Sequence, residues 1–126
     1  MQFQNARAVL VIDELAPSLR FWVDRLGFRK TAEAHDGSYA IVNHQTIEIM
    51  LQSRRALVAS APHLAGPTFC TTLYVEVADV EAVVPVIADT DVVIPLRKTP
   101  YGMHEIFVRE PGGHIIGFAS PLPESR

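Results

Sequence analysis

Apolar positions follow two periods along this chain, and the order of those periods occurs twice. Ala8-Val9-Leu10-Val11-Ile12 is an unbroken apolar run of strand length, closed by Asp13-Glu14. Across Ala16–Leu26 the residues Leu19, Trp22, Val23 and Leu26 keep the i, i+3, i+4, i+7 spacing of an amphipathic helix. Pro17 suits its first turn, and Gly27 stands where a left-handed C-cap belongs. Strands are predicted next at Phe28–Ala34, Ser38–Asn43 and Thr46–Gln52, divided by the turn residues Asp36-Gly37 and Asn43–Gln45. The first half therefore reads β-α-β-β-β.

Ser53–Pro67 has no period and contains Pro62, Gly66 and Pro67, which predicts a crossing linker. The order then restarts. Thr71–Val77 is a strand, Asp79 an N-cap and Val80–Ala88 a helix that Pro85 should shorten or kink. Short strands follow at Val92–Leu96, Met103–Val108 and His114–Ala119. The last two enclose Arg109-Glu110-Pro111-Gly112-Gly113, a proline–glycine turn, so Pro100–Phe118 reads as a closing antiparallel hairpin. The shared element order predicts an α+β fold made by internal duplication. The whole chain, 1–126, is expected to be a single domain, with module one at about 6–53, a linker at about 54–68 and module two at about 69–122.

Composition narrows the function classes. At 126 residues, 48% hydrophobic and 20% charged, the chain has an ordinary globular make-up and enough length for a substantial core. A net charge of −3 with no basic stripe argues against a nucleic-acid partner. One cysteine, Cys70, excludes an internal disulfide and fits a reducing compartment. It is expected to be a small buried residue at a strand start. No long apolar run or signal peptide is evident, so a cytoplasmic location with no membrane contact is expected.

Ser18–Phe28, reading SLRFWVDRLGF, resembles the first-helix signature of the vicinal oxygen chelate superfamily. Tyr74–Ala82 (YVEVADVEA) is similar to its second strand–helix junction, and Tyr101–Phe118 to its closing hairpin. The superfamily includes glyoxalase I, extradiol dioxygenases, fosfomycin-modifying enzymes and bleomycin resistance proteins, and FWVDRLGF looks most like the last of these. The resemblance implies two β-α-β-β-β modules whose curved sheets form an open half-barrel around a ligand cavity, often in a homodimer.

Metal-dependent members of that superfamily take one ligand from the first and one from the last strand of each module. Counting from the residue that opens each helix places these positions at Arg7, Glu48, Thr72 and Gly117. Arginine has no lone pair to give, glycine has no side chain and a neutral threonine hydroxyl is a poor ligand. Only Glu48 qualifies, so neither a metal nor another cofactor is expected. The same counting sorts the strands by face, because side chains alternate. One face holds Ala8, Leu10, Ile12, Ile47, Ile49, Leu51, Leu73, Val75, Val77, Ile116 and Phe118, all apolar. The other holds Arg7, Val9, Val11, Thr46, Glu48, Met50, Gln52, Thr72, Tyr74, Glu76, Ile115, Gly117 and Ala119. A mixed surface of this kind suits a small-molecule pocket, or merely faces water as half-exposed sheets do.

The ligand-binding candidates are therefore Arg7, Glu48, Met50, Thr72, Tyr74 and Glu76, with Tyr101 and Met103 beside Gly102 as a rim. Arg7 and Glu48 can instead form a cross-strand ion pair. Tyr74 and Glu76 can stack on and neutralise a cationic aromatic ligand. His35, His44 and His63 fall in turns or the linker, whereas His104 and His114 flank the hairpin. His104 and Glu105 are neighbours on one strand and point to opposite faces, so they cannot converge on one atom. The reading is a metal-free binder of a small organic ligand, with bleomycin-type antibiotic sequestration the specific form. The alternatives are a metal-dependent lyase or dioxygenase with a displaced ligand set, and a metal-free enzyme using Glu48 as general base. A homodimer is expected, since each sheet has edges to cover.

Overall fold

The computed structural model describes residues 1–123. It divides into two units, Met1–Phe69 and the chain from Cys70 onward. The first unit runs β1 (Ala8–Ile12), α1 (Leu15–Leu19), β2 (Arg29–Glu33), β3 (Tyr39–His44), β4 (Ile47–Ser53) and α2 (Arg54–Ser60). The second runs β5 (Thr72–Glu76), α3 (Val80–Ile87), β6 (Asp91–Lys98), β7 (Met103–Arg109) and β8 (Ile115–Pro121). The sheet orders are β1-β4-β3-β2 and β5-β8-β7-β6. In each, the first and last strands pair parallel and the remaining pairs are antiparallel. The duplicated β-α-β-β-β order and the α+β class are as the sequence pattern predicts. No helix among the described residues is long and apolar enough to cross a membrane.

Residues paired across strands share a face, so the register tests the alternation argument. Leu10 pairs with Leu51 and Val75 with Phe118, whereas Val9 pairs with Met50 and Tyr74 with Gly117. The two predicted faces are thus the observed ones. Leu10, Ile12, Ile49, Leu51, Ile116 and Phe118 are all buried. In the second unit α3 packs on this apolar face, burying Val80 and Ile87. Two polar side chains fix its start. Asp79 accepts from the N–H of Glu81 at 3.1 Å, and the buried Ser120 Oγ accepts from the N–H of Val80 at 3.1 Å. Pro85 leaves the helix eight residues long.

The first helix departs from the expected stripe. After α1 the chain continues as a π-helical segment over Arg20–Arg25. A turn closed five residues apart is wider than 3.6, which rotates later side chains around the axis. Phe21, off the predicted stripe, is therefore buried together with Trp22, while Leu19, Val23 and Leu26 are only half-buried. Phe21 and Phe28 pack edge-on against the Trp22 ring at 5.6 and 5.0 Å. Gly27 ends the helix at φ 80, as its position suggests.

The segment read as an aperiodic linker contains α2. Ser53 caps it by accepting from the N–H of Ala56 at 3.1 Å. Its seven residues, reading RRALVAS, make under two turns and show no apolar stripe, so periodicity could not reveal this helix. Arg54 then ties the following turn to β1, donating to Asp13 at 3.1 Å and to the carbonyl of Pro67 at 2.7 Å.

Candidate functional site

In the first unit Arg7 stands one residue ahead of β1. Because Ala8 pairs with Ile49, Arg7 falls beside Glu48. Its Nε donates to Glu48 Oε1 at 2.5 Å. The cross-strand ion pair is thus formed, with both Arg7 contacts on the Oε1 of Glu48. Met50 lies on the same face, half-buried, with Val9 and Ile41 as its register neighbours.

The second unit holds a denser arrangement. Three rows cross its open face: Thr72, Ile115 and Arg109; Tyr74, Gly117 and Phe107; Glu76, Ala119 and Glu105. Arg97 of β6 pairs with Glu105 and joins the last row. The side chain of Glu105 is fully buried. Its Oε1 accepts from the Tyr74 hydroxyl at 2.7 Å and the Tyr101 hydroxyl at 2.9 Å. Its Oε2 accepts from Arg97 Nε at 3.1 Å, Arg97 Nη2 at 2.9 Å and again from Tyr101 at 2.8 Å. A carboxylate has about four lone-pair sites, so two phenols and a guanidinium saturate it.

Titration follows from these contacts. Burial by itself raises the pKa of Glu105, but the hydrogen bonds from Tyr74, Arg97 and Tyr101 and the Arg97 charge outweigh it. The carboxyl is held below its ordinary range. Removal of the Tyr74 hydroxyl end from water, reinforced by its bond to Glu105, pushes that phenol above its ordinary value. The bond to Glu105 likewise raises Arg97.

Local structure presets Tyr101. Thr99 and Met103 close a three-residue loop, with Thr99 N–H donating to the Met103 carbonyl at 2.8 Å and Gly102 N–H to the Thr99 carbonyl at 3.2 Å. Gly102 sits at φ 84, where only glycine is unstrained. Pro100 at the second turn position and glycine after the turn are what this hairpin loop requires. The Thr99 hydroxyl also accepts from Met103 N–H at 2.9 Å. Tyr101 is left 63% exposed and Tyr74 48% exposed, each with its hydroxyl turned to Glu105. Tyr74 also lies 5.9 Å from the Phe107 ring. Thr72 and Glu76 are exposed on β5.

From the sequence, Glu105 is taken only beside His104, and Phe107 and Arg97 are left out of the site. Continuing the alternation into β7 would have found Glu105 and Phe107, because Ile106 and Val108 mark the opposite face. His104 does face away from Glu105, its Nδ1 4.0 Å from Glu81 Oε1. His114 is buried and its Nδ1 accepts from the N–H of Thr71 at 2.9 Å. Cys70 corrects an expectation: it is exposed rather than buried, because β5 begins only at Thr72.

The four positions that the resemblance assigns to metal ligands offer a poor set of donors. In the first unit Arg7 and Glu48 bind each other. In the second, Thr72 offers a neutral hydroxyl, and a Cβ at Gly117 would lie 2.5 Å from Phe107 Cε2. That ring fills the place of a side chain. Among the described residues no three His, Cys, Asp or Glu side chains group closely enough to hold an ion.

Solved structures share this fold along most of the chain. A bleomycin-binding protein from Streptomyces verticillus, solved with copper(II)-bleomycin, is 23% identical, with a TM-score of 0.66 over 94% of this chain and 96% of its own. A lactoylglutathione lyase from Agrobacterium tumefaciens is 13% identical, with a TM-score of 0.77 over 93% of this chain and 92% of its own. A glyoxalase/bleomycin resistance protein/dioxygenase family enzyme from Burkholderia phytofirmans is 13% identical, with a TM-score of 0.78 over 92% of this chain and 97% of its own. At these identities the likeness is one of fold. A comparison with curated protein sequences finds no match. The family model of the Glyoxalase/Bleomycin resistance protein/Dioxygenase superfamily matches residues 5–118. The chain belongs to that superfamily.

Proposed function

We propose that this protein is a metal-free binder of a small organic molecule that carries an aromatic group and positive charge. Sequestration of a bleomycin-type antibiotic is the specific form. The observation that carries the reading is the Phe107 ring over Gly117, 2.5 Å from where a Cβ would stand. At the position where the resemblance implies a metal-ligand side chain in metal-dependent members, this chain has an aromatic ring, with Tyr74 beside it. Ring faces attract cations, and the exposed carboxylate of Glu76 lies on the same face. Bleomycin is the first compound to test because a protein of this fold has been solved with its copper complex.

Two measurements test the reading. Elemental analysis of the purified protein should find no stoichiometric divalent metal, and one metal per chain would overturn the metal-free reading. Calorimetric titration with metal-free bleomycin should saturate, and a flat trace would remove the antibiotic reading. The proposal includes a cytoplasmic homodimer, for which a monomeric mass in sedimentation equilibrium at micromolar concentration is the contrary result.

A further inference from the structure

We propose that Glu105 is a positioning residue: it holds the rings of Tyr74 and Tyr101 ready for a ligand and does not itself read the ligand's charge. This rests on the binding reading above. The carboxylate is fully buried, whereas the two tyrosines that donate to it are 48% and 63% exposed. Their hydroxyls are therefore committed inward while the residues stay accessible to a ligand. All acceptor sites of Glu105 are taken by Tyr74, Tyr101 and Arg97, and the guanidinium neutralises it. No lone pair remains for a ligand cation. Glu76 differs. It is exposed on the same face, with no hydrogen bond or ion pair among the described residues, so it is the carboxylate available to a bound cation.

The physical gain is preorganisation. A free tyrosine on a surface must be ordered when a ligand stacks on it, and here the ordering is complete beforehand. Tyr101 is held at both ends, by its hairpin loop and by its hydroxyl. The ligand class that follows has a planar or quaternary-cation surface which rests on ring faces and needs no hydrogen bond from the phenols.

The test uses two fluorescent probes of one shape, N-methylacridinium as the cation and acridine as the neutral form, titrated at pH 8 well below each variant's melting temperature. Glu105→Gln keeps the shape but replaces an acceptor oxygen by a donor facing Arg97 and the phenols. The neutral probe should weaken by about fivefold to a hundredfold for two unpinned rings, and the cation at least as much, because the uncovered Arg97 charge also repels it. Tyr74→Phe and Tyr101→Phe keep the rings and should each weaken both probes about two- to tenfold. They keep the test decisive if Glu105→Gln fails to fold. Glu76→Gln should weaken the cation alone. A neutral probe unmoved by Glu105→Gln while the cation weakens would overturn the inference, because Glu105 would then act on the ligand through charge alone. Lowered melting temperatures with unmoved affinities would also overturn it, leaving Glu105 a merely structural residue while the binding reading stands. Wild-type protein that binds neither probe would overturn the binding reading and this inference with it.

Discussion

Replacing Gly117 by alanine interrogates the open face of the second unit most directly. The backbone there is not left-handed. Alanine at such a position stabilises by about 0.4–1 kcal/mol, through the entropy of the unfolded chain. Against this stands Phe107. The new Cβ would lie 2.5 Å from Cε2 and 2.8 Å from Cδ2 and Cζ. Ordinary carbon contacts are about 3.5–4.0 Å, so the ring must move by about 1 Å. Overpacking of this kind costs about 1–3 kcal/mol. Phe107 is only half-buried, so it can swing outward, but doing so takes it off Tyr74. The balance is a net loss of about 1–2 kcal/mol in the wild-type background. In a Phe107→Ala background the obstacle is gone, and the same change should stabilise by about 0.4–1 kcal/mol. Urea denaturation of wild type, both single variants and the double variant measures this reversal of sign as a coupling of about 1–3 kcal/mol. An equal effect of Gly117→Ala in both backgrounds would refute the steric argument, and with it the claim that Phe107 fills the ligand position.

Trp22→Ala should destabilise by about 3–5 kcal/mol in the same assay, since it empties a site packed by two rings. Trp22→Phe should lose well under half of that, because it also removes a buried indole N–H that has no acceptor among the described residues. The stability difference between wild type and Glu105→Gln should be complete at neutral pH. It should shrink as pH falls below about 4 and vanish as Glu105 protonates at its lowered native value. A difference that is constant from pH 7 to 3 would contradict the saturated carboxylate. Glu48→Gln, which breaks an ion pair more than a third exposed on both sides, should change stability by less than about 1 kcal/mol. Ser120→Ala should cost about 1–3 kcal/mol, because it strands the N–H of Val80 in a buried place.

The strands, their faces and their duplicated order could be read from the chain because each depends on local spacing. An apolar residue every second place commits a strand to one register, and a slip of one residue would turn its whole apolar set to water. Turn chemistry is equally local, which is why Gly27 and the Arg109–Gly113 turn could be placed from sequence. Alternation continued into β7 would also have put Glu105 and Phe107 beside Tyr74. Counting fails where the backbone adds a residue. The π-helical turn after Leu19 brings Phe21 inward against the predicted stripe. On β6 the register shifts twice, between Val92 and Ile94 and again between Ile94 and Arg97, so β6 advances six residues from Asp91 to Arg97 against four from Arg109 to Glu105. Uninterrupted pairing from Asp91 would have set Pro95 opposite Glu105 and left Arg97 opposite Met103, on the right face but two places away. An edge strand tolerates a proline and a bulge because one of its sides has no ladder to break. The sequence by itself therefore determined the sheets and their faces. Only the tertiary structure decided that a guanidinium and two phenols meet on one buried carboxylate, because that meeting depends on a shifted register and on side chains reaching across strands.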